Sequence, residues 1–148
     1  MFHVWIIIVV SPFHLLVGLA MYFRADDSFD VHLVRTFLRH LHTIESWFNA
    51  QSLYCFLASS LLFVYDGDAV RLPESVDDLS NGCKAAESNH SVADNVSDSW
   101  WEERVQLKMI DFTHAFPVTS PDENYLTGLR SLMGYVTCLK PGMYEPDV

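Results

Sequence analysis

Asp111, the hydroxyls of Ser59 and Ser60, and a stripe of Arg35, Arg39 and His42 are the residues whose types and spacing could do chemistry. Asp111 follows a stretch in which Val105, Leu107 and Met109 alternate with Gln106 and Lys108, so it stands at the carboxyl end of a predicted strand. The alternation stops at Ile110, where two consecutive apolar residues direct the strand end toward the interior. A carboxylate buried there without a partner costs several kcal/mol, so a cation, a metal ion or a set of donors is expected beside it. An aspartate so placed can hold the magnesium that bridges nucleotide phosphates. It can equally cap the turn that follows. A serine hydroxyl at the start of a strand can donate to a phosphate oxygen or orient a metal-bound water. It can also satisfy nearby backbone groups, the reading preferred for Ser59. Arg35, Arg39 and His42 recur at i, i+4 and i+7, with His32 and His40 close by. Guanidinium forks match phosphate oxygens, so this stripe suits a polyanion; it also suits a plainly solvated helix face.

These residues need elements to position them. The basic stripe rides on a predicted helix over residues 30–51, where Val34, Phe37, Leu38, Leu41, Ile44 and Phe48 recur every three or four positions behind Asp30 as N-cap. Ser59 and Ser60 open a predicted strand, the apolar run 61–65, which Asp66-Gly67-Asp68 closes with a turn. Near the end of the chain Ser120 is the expected N-cap of a helix, with Pro121 at its first position and Glu123 completing a capping box. Leu126, Leu129, Leu132, Met133 and Val136 form its apolar face. Residues 71–103 have no apolar period and are acidic. They read as an insertion inside a hairpin, excluded from the core, with Trp100 and Trp101 docking the returning chain.

A chain of 148 residues is long enough for one domain with a real core. Its formal net charge of -10 argues against nucleic acid as a partner. Much of that acid is concentrated between Glu74 and Glu103, so the rest of the surface is less acidic than the total suggests. Cys55, Cys83 and Cys138 have no metal-ligand spacing and are odd in number, which fits free thiols. Residues 4–22 are nearly all apolar, close to the ~20 a membrane-spanning helix needs. Pro12 and His14 near the middle weaken that reading, and a buried strand and helix is the alternative. If helical, the segment is expected to pack poorly on the remainder. Asn89 and Asn95 open glycosylation triplets that matter only in a secreted chain.

Three motifs stand in order: Ala58-Ser59-Ser60-Leu61-Leu62-Phe63-Val64-Tyr65-Asp66-Gly67, then Met109-Ile110-Asp111-Phe112-Thr113-His114, then Asp122-Glu123-Asn124-Tyr125-Leu126-Thr127-Gly128-Leu129. Together they resemble the carboxyl-terminal part of the inositol polyphosphate kinase family, above all its multikinase branch and next the hexakisphosphate kinases. The resemblance runs over residues 31–136, is loose before Trp47 and is absent before Arg24. It implies an α+β carboxyl lobe over residues 24–140, built on a central antiparallel strand pair flanked by helices. Residues 1–23 would be an apolar segment outside the match and residues 141–148 a frayed tail.

The resemblance also implies ATP-dependent phosphorylation of a soluble inositol polyphosphate, with ATP and magnesium (Mg) as cofactors, in the cytoplasm or nucleus. Asp111 matches the family's metal- and cofactor-binding aspartate. His114 matches a catalytic histidine near the inositol phosphate, placed to hold a substrate phosphate or help with the attacking hydroxyl's proton. Ser60 matches the second serine of a strand facing the nucleotide phosphates. Thr113 stands where the family has alanine, a change expected to spare metal binding. The family's Pro-x-x-x-Asp-x-Lys-x-Gly signature occurs nowhere in the chain. Phosphoryl transfer rests on positioning and electrostatic stabilisation, so little activity is expected of this chain alone. The chain therefore reads as a truncated kinase. Two rivals remain: an inactive binding or regulatory module made from the lobe, and a membrane-anchored relic held by residues 4–22.

Overall fold

The computed structural model describes residues 2–6, 12–24, 29–67 and 100–140. Their elements run β1 (Phe2–Ile6), α1 (Pro12–Tyr22), α2 (Val31–Ala50), β2 (Tyr54–Phe56), β3 (Ser60–Asp66), β4 (Val105–Ile110), β5 (Ala115–Pro117) and α3 (Glu123–Thr137). β3 is the middle strand of a three-stranded sheet ordered β1-β3-β4, and β2 with β5 makes a separate pair. Leu61, Phe63 and Tyr65 of β3 are buried, while the residues between them are only half-buried, so one face of the sheet meets the core. β3 and β4 are antiparallel neighbours, with Ser60 opposite Ile110 and Tyr65 opposite Val105, as their patterns predict. The α+β architecture expected from the sequence is the one observed.

The described residues of the apolar run 4–22 form the strand and helix given as the alternative to a membrane span or a poorly docked helix. It divides into β1, paired antiparallel with β3, and the 11-residue α1. Among the described residues no helix is long and apolar enough to cross a membrane. Leu19 and Ala20 of α1, and Phe23 just after it, are buried. The Tyr22 ring meets Phe37, Phe63 and Tyr65 edge-on, and the Tyr65 hydroxyl donates to the Tyr22 carbonyl at 3.0 Å. Burial holds the Tyr22 phenol well above its ordinary pKa. This segment is part of the core because an apolar run can fill a sheet edge and a helix face as well as a bilayer.

Two aspartates fasten the helices to distant strands. Asp30 caps α2 as predicted: Oδ1 accepts from the His32 and Leu33 amides at 2.8 and 3.2 Å, while Oδ2 accepts from the Trp101 indole at 3.1 Å. Trp101 is buried and docks the chain entering β4, as expected of the residues that close the insertion 71–103. The stretch 68–99 of that insertion, with Cys83 and both glycosylation triplets, lies outside the described residues, as does the tail 141–148. At α3 the cap is Asp122, not Ser120. Its Oδ1 accepts from the Tyr125 amide at 3.0 Å and its Oδ2 from the Phe56 amide of β2 at 2.8 Å. The second contact decides the matter, because only Asp122 reaches the β2 amide. The apolar face of α3 is buried as predicted, and Tyr125 stacks on Phe48 of α2 with ring centroids 4.0 Å apart.

Candidate functional site

The β3–β4 ladder and the β2–β5 ladder meet out of step. Between the pairs Phe56↔Ala115 and Ser60↔Ile110, three residues of one strand face four of the other. The Leu57 amide donates to the His114 carbonyl at 3.0 Å, which carries the β2–β5 register one step further. The extra residue therefore falls among Asp111, Phe112 and Thr113, opposite Ala58 and Ser59. This one-residue offset between two separate ladders is here called a bulge, since offsets of this kind re-aim side chains at sheet ends. Ala58 (φ 58°) and Asp111 (φ 62°), one on each chain segment of it, are both in the left-handed region that non-glycine residues avoid. Such strain costs of order 1–3 kcal/mol per residue and clusters where a geometry is needed for function.

The bulge turns Asp111 outward. Its carboxylate is exposed, not directed into the interior as the run of Met109 and Ile110 suggests. The donors expected beside it come from Thr113, whose hydroxyl donates to Oδ1 at 2.6 Å. That bond, then the Thr113 backbone amide and the nearby His114 ring, hold the Asp111 carboxyl below the ordinary carboxylate range despite slight desolvation. The carboxylate is thus ionised. His114 is exposed as well, within electrostatic reach of Asp111. Ser60 is half-buried and pairs with Ile110, the residue just before Asp111. The three residues singled out from the sequence are gathered at one end of the sheet.

One residue escaped the sequence reading. In an antiparallel ladder opposed residues share a face, so Lys108, opposite Leu62, lies on the same face as the pair Ser60 and Ile110. Lys108 is exposed and forms no ion pair among the described residues. The strand alternation already put it on the polar side. What it lacked was the register that sets it beside Ser60.

No group of three histidines, cysteines, aspartates or glutamates gathers among the described residues, so the protein does not build a metal cage there. Asp111 alone fits a different mode, in which magnesium keeps several waters and takes one or two carboxylates together with phosphate oxygens. An exposed, ionised, monoanionic ligand is what that mode asks of the protein.

Other candidates fare worse. The helix stripe is largely neutralised: Arg39 pairs with Glu102 at 2.7 Å, His40 lies 3.2 Å from the same carboxylate, and His42 lies 3.4 Å from Glu45. Arg35 is exposed. Ser59 does not satisfy a backbone group. Among the described residues its buried hydroxyl makes no well-formed hydrogen bond, and its polar neighbour is the Tyr125 phenol. Burial pushes that phenol up to about 12, a rise that Ser59 moderates and the Asp122 charge reinforces. Ser59 and Tyr125 line a cavity of about 440 Å³ beneath the bulge, walled by Leu15, Phe56, Leu61 and Leu132. Among the described residues no charged side chain lines it, which does not favour phosphate there. Cys55 and Cys138 are free thiols.

Comparison with solved structures finds the same fold in the inositol phosphate multikinase Ipk2 of S. cerevisiae, determined in complex with ADP and Mn2+. The match has a TM-score of 0.56 at 21% identity and covers 86% of this chain and 46% of that one. A second structure, from structural studies and protein engineering of inositol phosphate multikinase, is 24% identical over 68% of this chain and 32% of its own, with a TM-score of 0.44. The chain thus spans less than half the length of the structures it matches. No curated protein matches it. The family model for inositol polyphosphate kinase matches residues 14–137, reaching back into α1, ten residues earlier than the motifs alone suggest. That match takes in most of α1, all of α2 and α3, β2 to β5 and the bulge with Asp111 and His114, and by it the chain belongs to the inositol polyphosphate kinase family.

Proposed function

We propose that the bulge is the metal- and phosphate-handling end of an enzyme that transfers phosphate from ATP to a soluble inositol polyphosphate. The observation that carries this reading is Asp111 itself: exposed, ionised, held in a left-handed conformation by a bulge, with His114 and Ser60 at the same sheet end. A magnesium ion held by the Asp111 carboxylate would supply positive charge against nucleotide phosphate oxygens. Asp111 is its protein ligand. Ser60 donates its hydroxyl to a nucleotide phosphate oxygen, and Lys108 adds a positive charge on the same face. His114 holds a phosphate of the acceptor or receives the proton of the attacking hydroxyl. The yeast multikinase that shares the fold was solved with ADP and Mn2+, the two kinds of ligand this reading assigns to the bulge. The reading puts the enzyme's work in the cytoplasm or nucleus, where its substrate is soluble.

The test is a nuclear magnetic resonance titration of the 148-residue chain with ADP and magnesium chloride. The backbone signals of Ser60, Asp111 and His114 should shift together, with weak affinity, and Asp111→Asn should remove the metal-dependent part. Shifts confined to other regions, or an unchanged response in Asp111→Asn, would overturn the assignment.

A further inference from the structure

The bulge holds one short hydrogen bond between two exposed side chains. The Thr113 hydroxyl donates to Asp111 Oδ1 at 2.6 Å. That is the short distance of a hydrogen bond to an ionised oxygen. Both residues are exposed, where a threonine hydroxyl is ordinarily free to rotate into water. Here the left-handed Asp111 and the bulge bring the two side chains together across one intervening residue, Phe112. The hydroxyl acts on the carboxylate in two ways. With the Thr113 backbone amide it fixes the orientation of the carboxylate, and it draws electron density from Oδ1. The two oxygens are no longer equivalent ligands.

We propose that Thr113 is a positioning residue that makes Asp111 a one-oxygen ligand and thereby favours magnesium over calcium. The inference rests on the metal role proposed for Asp111. The physical ground is the difference between the two ions. Calcium accepts carboxylates in the bidentate mode and tolerates irregular shells of six to eight oxygens, whereas magnesium demands near-octahedral geometry and takes few carboxylate oxygens. An oxygen already accepting a short hydroxyl bond is a poor second arm for a bidentate ion. Losing that arm costs calcium and leaves magnesium untouched. An alanine at this position imposes no such asymmetry.

The experiment titrates the 148-residue chain with magnesium chloride and, separately, with calcium chloride, following the backbone signals of residues 111–114. Four forms are compared: the natural chain, Thr113→Val, Thr113→Ser and Asp111→Asn. Valine keeps the shape and removes the donor; serine keeps the donor. The ratio of calcium Kd to magnesium Kd should fall in Thr113→Val by roughly threefold to tenfold, the range one hydrogen bond supplies. In Thr113→Ser the ratio should stay near that of the natural chain. An Asp111-dependent response with the same ratio in natural and Thr113→Val chains overturns the inference while leaving the metal role standing. A response to neither ion, or one that Asp111→Asn retains in full, overturns the metal role and the inference with it.

Discussion

Two clusters of aromatic rings lie at opposite ends of β3, and they differ in what covers them. Around Tyr65 the rings of Phe23, Phe37, Phe63 and Trp101 are all buried, with Phe37 and Phe63 centroids 5.0 Å apart. Around the bulge Phe112, Phe116, Tyr54 and Trp47 are about half exposed, although Phe112 still touches Phe56 and Trp47 still touches Phe56. Composition is similar at the two ends. The difference is that one end is closed by α1, α2 and the Trp101 turn, while the other carries the strained backbone and the exposed carboxylate. Large apolar groups left at a surface beside a polar site mark a place where something else binds. The buried end keeps the fold, and the open end leaves apolar rings exposed beside the proposed site.

The comparison can be broken most severely at the amino terminus. Removing residues 1–21 takes away β1 and most of α1, including Leu19 and Ala20, and should abolish cooperative unfolding in a thermal melt. A truncated chain that melts as sharply as the natural one would show that α1 does not belong to the closed end. A pair of single changes comes next. Phe37→Ala, in the buried cluster, should lose about 3–5 kcal/mol in urea unfolding. Phe112→Ala, in the open one, should lose under about 1 kcal/mol, since its ring is already half in water. Similar losses at the two sites would erase the distinction.

A third pair sharpens the account of how the ends are joined. Asp122→Ala removes a helix cap worth about 0.5–2 kcal/mol and leaves the Phe56 amide without its acceptor, a further ~1–3 kcal/mol. Ser120→Ala, at an exposed residue outside α3, should change stability by less than about 0.5 kcal/mol. Reversal of that order would restore the serine as the cap. The smallest effect is at Glu102, which ties α2 to the turn before β4. Partial burial raises its carboxyl, but hydrogen bonds and charge from Arg39 and His40 outweigh that and leave it below the ordinary range. A depressed folded pKa stabilises above the unfolded value of about 4.3 and ceases to do so as pH falls through the folded value. Glu102→Gln should therefore cost under about 1 kcal/mol at pH 6 and nothing at strongly acid pH, in melts run across that range.

Much of this was legible in the sequence, for reasons of range. The β4 alternation, the buried run of β3, the Asp30 cap and the five apolar residues of α3 are set by neighbours within a few positions, and the structure agrees with each. The three motifs were enough to gather Ser60, Asp111 and His114. What could not be read depends on partners far along the chain. The Phe56 amide that selects Asp122 over Ser120 is 66 positions away, and the Glu102 carboxylate that occupies Arg39 is 63 away. The exposure of Asp111 follows from a bulge that exists only because two three-residue strands, β2 and β5, pair out of step with β3 and β4. Residues 4–22 show the same limit, since an apolar run carries no mark of whether a sheet, a helix bundle or a bilayer will cover it.

The central claim is that Asp111 is the metal ligand of a phosphotransferase site, and one measurement tests it most directly. The chain is fused in frame behind an inositol phosphate multikinase amino lobe that carries the Pro-x-x-x-Asp-x-Lys-x-Gly signature, and transfer of phosphate from ATP to an inositol polyphosphate is measured. The fusion should turn over and the 148-residue chain alone should show little or no activity. Asp111→Asn in the fusion should abolish turnover while its circular dichroism spectrum and melting stay unchanged. Activity that survives Asp111→Asn in a folded fusion would contradict the account.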